Sequence, residues 1–318
     1  MTTSALTSVV RLPEGAAGPY GITKGPDDAL WFTLVHSGQL GRLAPDGQLA
    51  LHSLDSATCG PTVITPGPDG ALWFTRFQDH RIGRISTSGL ATSYPVPTPD
   101  SGPYGIAAGS DGALWFTEIQ ADRIGRISAE GQVTEFPLPT TGAYPSAIAN
   151  GPDNAMWFTL NQANAIGRIT LDGDVTLHPL PTGPAGPAAP VGIVCGGNGA
   201  LWFTEIGAGA IGRIDTDGRI DEFPLPDPSS RPHAIVADAA GVCWFTEWGT
   251  NRIGSLTPGG RIEEYELPTP GSEPHGLTFG PDDSLYVALE IGEIVRLDFG
   301  GGRRPVGNKS VSPPESPG

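Results

Sequence analysis

A chain of 318 residues is long enough for two domains or one large one, and it carries 18 Lys and Arg against 34 Asp and Glu, a formal charge of −16. That charge is spread without long runs of either sign, which works against binding a polyanion, so no nucleic acid partner is expected. The 46 Gly and 33 Pro fall at regular intervals between short apolar runs, the pattern of a turn-rich all-β protein and not of a disordered one.

The opening MTTSALTSVV lacks a charged segment followed by an apolar one, and no stretch approaches the roughly 20 apolar residues of a membrane span. A soluble, cytoplasmic monomer with no membrane partner is the expectation. The first strand-like segment, LTSVVRLP at 6–13, has the pattern of VTEFPLP at 133–139.

From there the chain repeats itself. LWFT occurs at 30–33, 72–75, 114–117 and 201–204, with MWFT at 156–159, CWFT at 243–246 and the degraded LYVA at 285–288. The seven copies are spaced by 42, 42, 42, 45, 42 and 42 residues, a period that marks propeller blades. The third unit reads PYGIAAG, ALWFTE, RIGRIS and GQVTEFPLP, four strands separated by SDG, QAD and AEG. Gly supplies the positive φ of such tight turns and Asp tolerates it.

The seventh unit supplies PHGLTFG, SLYVALE and EIVRLD and then enters a Gly-, Pro- and Ser-rich segment with no fourth strand. The unpaired strand at 6–13 fills that place, which predicts a seven-bladed β-propeller of four-stranded blades, closed by the N-terminal strand pairing onto the last blade and so hiding two sheet edges. Residues 1–299 form this single domain, and residues 300–318 are read as a disordered tail.

Because each blade is a control for the others, residues common to nearly all of them are read as structural. These are the Trp-Phe pairs, the arginines of IGR, and Glu118, Glu205 and Glu247. Cys59, Cys195 and Cys243 lack CxxC spacing and read as inert thiols, the last two buried in strands. His52 and His178, on outer strands, read as ordinary surface residues.

Two positions at the entrance to each innermost strand vary instead. The residue before the entrance proline runs Gly18, Gly60, Gly102, Tyr144, Ala189, Arg231, Glu273, and the residue after it runs Tyr20, Thr62, Tyr104, Ser146, Val191, His233, His275. Strand direction alternates, so these loops and those leaving the second strands open on one face of the disc. Glu290, ending YVALE, joins that face. Ring closure makes blade 1 the neighbour of blade 7, so Glu273, His275, Glu290, His233 and Tyr20 converge from three adjacent blades. His36 and His80 are placed on the same face but farther from the axis.

Two carboxylates without a cysteine or a cluster of three His suit a hard cation, Mg²⁺ in particular. A metal-polarised carbonyl beside an imidazole base suits removal of an α proton, and hydrolysis by metal-bound water is equally compatible. A propeller that binds a peptide or glycan without turnover is a third reading. No GxSxG segment supports a serine nucleophile.

Over residues 5–299 the chain resembles the streptogramin B lyases, also called virginiamycin B lyases. GPYGI at 18–22, RPHAI at 231–235, CWFTEWGTNRIG at 243–254, EPHG at 273–276 and ALE at 288–290 carry the resemblance. It implies a Mg²⁺-dependent carbon–oxygen lyase in which Glu273 and Glu290 ligate the metal, His275 is the catalytic base, and His233 and Tyr20 hold the substrate. The implied reaction opens a cyclic depsipeptide antibiotic at its threonyl ester by β-elimination, conferring antibiotic resistance.

Overall fold

The computed structural model describes residues 6–183, 186–197 and 199–299. Among them the strands form seven four-stranded antiparallel sheets and one two-stranded ribbon. Blade 1 runs from the centre outward as Pro19–Lys24, Leu30–Leu34, Gln39–Leu43 and Leu49–Ser53, and the other blades repeat this order. The ribbon, Thr182–Gly183 against Gly186–Pro187, lies in the one repeat interval that is 45 residues long.

The closure is as expected. Leu6–Arg11 pairs with Glu293–Asp298, from Leu6 opposite Asp298 to Arg11 opposite Glu293, and completes the sheet of Pro274–Phe279 and Leu285–Leu289. The innermost strands of blades 7 and 1 then pack side by side. The reading of 300–318 as a tail lies outside the described residues. No helix among the described residues is long and apolar enough to cross a membrane.

The tryptophans and arginines read as structural have specific partners. In blade 1 the Trp31 Nε1–H donates to Asp27 at 3.0 Å and the Arg42 Nε–H to the same carboxylate at 2.8 Å, with the guanidinium 5.9 Å from the indole centroid. Blades 2, 3 and 4 repeat the triad through Asp69, Asp111 and Asp153. Blade 5 has no Asp in that turn, and Arg213 turns to Asp221 instead.

The outer face of each of these indoles is covered by a residue of the fourth strand. His52 stacks on Trp31 and His178 on Trp157 at 5.4 and 5.5 Å, where other blades use Tyr94, Phe136, Phe223 and Tyr265. These two histidines are therefore packing residues, not ordinary surface ones, because an imidazole ring can replace a phenyl ring in a stack. Cys59 and Cys243 are buried and Cys195 is half-buried, so the expectation of burial fails for Cys195 alone. Burial pushes the Cys59 and Cys243 thiols up to about 11 and about 12, which keeps them protonated.

In blades 1 to 5 the threonine of WFT fastens one blade to the next. Thr33 Oγ1 accepts the Gly21 N–H at 2.8 Å and donates to the Thr62 carbonyl of blade 2 at 2.6 Å. Thr204 does the same between blades 5 and 6, accepting from Gly192 and donating to the carbonyl of His233, both at 2.8 Å. Blade 7 carries Ala288 in this place. There the blades meet through Gly276, where a Cβ would come within 2.6 Å of the Tyr20 carbonyl, as Gly21, Gly105 and Gly192 also approach the next blade.

Candidate active site

In every blade the register between the innermost and second strands shifts after the entrance proline, in blade 7 between Pro274 and Leu277. Such an irregularity re-aims side chains and is frequent beside functional sites. The residue after the proline falls in this segment. Tyr20, Tyr104 and His233 accordingly line a central, mostly apolar cavity of about 180 Å³.

His275 lies at the head of this cavity, only 8% exposed. Its ring stands 4.3 Å from that of Tyr20 and 5.2 Å from that of His233, and Tyr20 and His233 meet edge to face at 6.1 Å. The Tyr20 hydroxyl in turn hydrogen-bonds that of Tyr104 across the channel. Three of the five expected site residues thus form one aromatic cluster, and Tyr104 joins it.

Glu290 completes the contact. Its Oε2 lies 2.5 Å from His275 Nε2 and its Oε1 lies 2.7 Å from His36 Nε2. The expectation that His36 sits away from the site is therefore corrected. His36 follows Val35, the blade 1 counterpart of Glu290, and ring closure brings blade 1 against blade 7. His80 stays apart, with its Nδ1 accepting from the Gly102 amide at 3.2 Å.

Glu273 stands on the exposed rim, and its backbone carbonyl accepts the Glu290 N–H at 3.2 Å. Its φ is +51°. All seven residues before the entrance prolines are left-handed, but blades 1 to 3 place glycine there while blades 4 to 7 place Tyr144, Ala189, Arg231 and Glu273. Residues with a Cβ bear a cost of roughly 1–2 kcal/mol in this region. Side chains have been put on the rim against backbone preference.

The electrostatics follow from burial. Burial raises the Tyr20 phenol well above its ordinary value and Tyr104 to about 12, so both remain protonated donors. Burial drives His233 down to about 3, with His275 adding to the effect and Glu290 opposing it. His275 is also held below its ordinary value by burial, against the pull of Glu290. Burial alone would raise the Glu290 carboxyl, but the bonds from His36 and His275 outweigh it and hold the carboxyl below its usual value. The site therefore joins the ionised Glu290 carboxylate to a neutral His275 imidazole.

Among the described residues no group of three or more His, Cys, Asp or Glu is arranged to cage a metal ion. The two carboxylates expected from the sequence to hold a cation, Glu273 and Glu290, are tied through their backbones. That fits a cation satisfied by one or two carboxylates, its remaining positions taken by water or substrate oxygens, as Mg²⁺ is.

The model of the Virginiamycin B lyase family matches residues 6–297. A virginiamycin B lyase of Saccharopolyspora erythraea is 64% identical over 45 residues, a segment that spans 14% of this chain and only 15% of that protein. The structure of selenomethionine-substituted virginiamycin B lyase from Staphylococcus aureus is similar along nearly the whole ring, with a TM-score of 0.88 and 43% identity over 93% of this chain and 99% of that one. A catalytically inactive histidine-to-alanine variant of the S. aureus enzyme, solved with quinupristin, has a TM-score of 0.88 and 42% identity over 93% and 99%. With a match that runs from the closing strand to the last strand of the ring, the chain belongs to the virginiamycin B lyase family.

Proposed function

We propose that this protein is a Mg²⁺-dependent carbon–oxygen lyase that linearises type B streptogramins and so confers resistance to them. The carrying observation is the contact of His275 Nε2 with Glu290 at 2.5 Å, with the Tyr20 ring 4.3 Å from the imidazole. This contact supports His275 as the base, a buried imidazole between a carboxylate and an aromatic wall. The quinupristin seen with the S. aureus relative supports a cyclic depsipeptide as the substrate.

Glu273 and Glu290 are the residues that would hold Mg²⁺, which when bound polarises the carbonyl beside the threonyl Cα and so acidifies its proton. With Glu290 turned to the cation and the imidazole hydrogen carried on Nδ1, which has no partner among the described residues, His275 takes that proton at Nε2, the nitrogen that otherwise donates to Glu290. The Cα electron pair forms the Cα=Cβ double bond, and the Cβ–O bond of the ester breaks. The products are a free carboxylate and a dehydrobutyrine residue in one linear peptide. His233 and the Tyr20 hydroxyl hold the macrocycle over the channel mouth, and their burial favours hydrogen bonds to a neutral ligand. We further propose that the protein works as a cytoplasmic monomer.

Mass spectrometry of a type B streptogramin incubated with protein and Mg²⁺, with an EDTA control, tests this reading. A linear product of unchanged mass that is absent with EDTA is expected. A product heavier by one water would replace elimination by hydrolysis, and an unaltered antibiotic would overturn the substrate.

A further inference from the structure

Each blade has two rim positions: the residue before the entrance proline, and the residue following the second strand. In blade 7 these are Glu273 and Glu290, joined by the Glu290 N–H to Glu273 carbonyl bond at 3.2 Å. In blade 6 they are Arg231 and Trp248, joined by the same bond at 3.2 Å. The blade 6 pair thus repeats, one blade round the ring, the placement of the proposed metal ligands.

This pair shares a stacked guanidinium with the Arg-Trp pairs of blades 1 to 5 and differs from them in its backbone and its exposure. Arg231 is held at φ +50°, a conformation that blades 1 to 3 reserve for glycine. Its guanidinium lies over the Trp248 ring, 5.5 Å from the centroid. The six other tryptophans of the chain are at most 2% exposed, whereas Trp248 is half-buried on the rim and its buried Nε1–H has no acceptor among the described residues. With Ser229, Thr250 and Asn251 the pair lines an open groove that reaches Glu273.

We infer that Arg231 and Trp248 form a recognition subsite for a planar aromatic group of the cyclic depsipeptide, seated in this groove while the ester lies over His275. The assignment rests on the function proposed above and adds where the rest of the macrocycle is read. Indole and guanidinium offer a flat, polarisable surface suited to an aromatic ring. A binding group remote from the reacting bond can orient that bond without joining the chemistry.

The test uses His275→Ala protein, which is expected to bind without turnover as the inactive S. aureus variant solved with quinupristin does, with ¹⁵N-labelled tryptophan indoles. Titration with a type B streptogramin is expected to shift the indole resonance that Trp248→Phe removes and to leave the six buried ones in place. In the otherwise native protein, Trp248→Ala and Arg231→Gly are expected to raise KM by about five- to ten-fold, with a smaller effect on kcat. The glycine variant also relieves the left-handed backbone, so impaired folding would not explain its loss. Calorimetric binding with an unmoved Trp248 resonance, or an unchanged KM in Arg231→Gly, would overturn the subsite alone. No binding to His275→Ala and no turnover by the native protein would overturn both the subsite and the function it rests on.

Discussion

The carbonyl of Glu273 accepts the amide of Glu290 at 3.2 Å, so both proposed metal-binding carboxylates leave the backbone from one bonded pair of positions. Glu273→Gln and Glu290→Gln are each expected to lose more than the roughly 10- to 100-fold that removal of an outer partner costs. His36→Ala removes such an outer partner, the 2.7 Å bond to Glu290. It is expected to weaken Mg²⁺ binding within that range and to recover its rate at saturating Mg²⁺. Rates measured across a Mg²⁺ titration separate the two cases, and equal losses in all three variants would contradict the assignment.

The left-handed rim residues predict a trade between stability and activity. Glu273→Gly removes the strain of a side chain at φ +51° and is expected to stabilise the fold by about 1 kcal/mol, less the entropy a glycine adds to the unfolded chain. The same variant is expected to be inactive. A thermal melt and an activity assay on one preparation check both halves, and a lowered Tm would show that the Glu273 side chain contributes to folding.

Glu118, Glu205 and Glu247 end the second strands of blades 3, 5 and 6 with their carboxyls buried. Burial, with Glu135, Glu222 and Glu264 close by, raises them to about 8, about 8 and about 7. A raised carboxyl keeps its proton in the folded chain after the unfolded chain has lost it, so folding stability falls as pH rises from the ordinary carboxyl value to about 8 and levels off above it. Glu118→Gln is expected to gain stability near pH 8, on the order of 1–3 kcal/mol, and to lose that advantage towards pH 4. Denaturant titrations at the two pH values decide this, and a gain independent of pH would refute it.

Thr204 and Thr159 fasten neighbouring blades in the same way, Thr204 to the carbonyl of His233 at 2.8 Å and Thr159 to that of Val191 at 2.7 Å. Replacing either by Val should cost about 1–2 kcal/mol, since buried partners are left unpaired. Only Thr204→Val should also lower turnover, because it frees a residue of the site. Paired measurements of stability and kcat/KM test the difference.

The seven blades and the closing strand were legible because a 42-residue period repeats a pattern that only one architecture uses. The site was legible where a blade departs from that pattern, as at Glu273, His275 and His233. His36 was missed because its significance comes from its neighbour across the ring closure and not from its own place in the repeat. Tyr104 was visible as a variable position, but its partner Tyr20 lies two blades away across the channel, a relation that adjacency along the ring does not disclose. The histidines on Trp31 and Trp157 were misread because exposure was judged from the strand they sit on and not from the indole beneath.

The blade that carries Glu273, His275 and Glu290 is also the one assembled from distant parts of the chain, with Arg11 bonded to Glu293 across 282 positions. During synthesis the first strand emerges early and waits for its partner, so no ribosome-bound fragment shorter than that separation can hold a finished site. The added loop entropy is small, about 1.7 kcal/mol relative to a 42-residue loop, but contacts so far apart in sequence delay folding. Activity should therefore be the last property a newly made molecule acquires, and one terminated before the strand Glu293–Asp298 is complete should never acquire it.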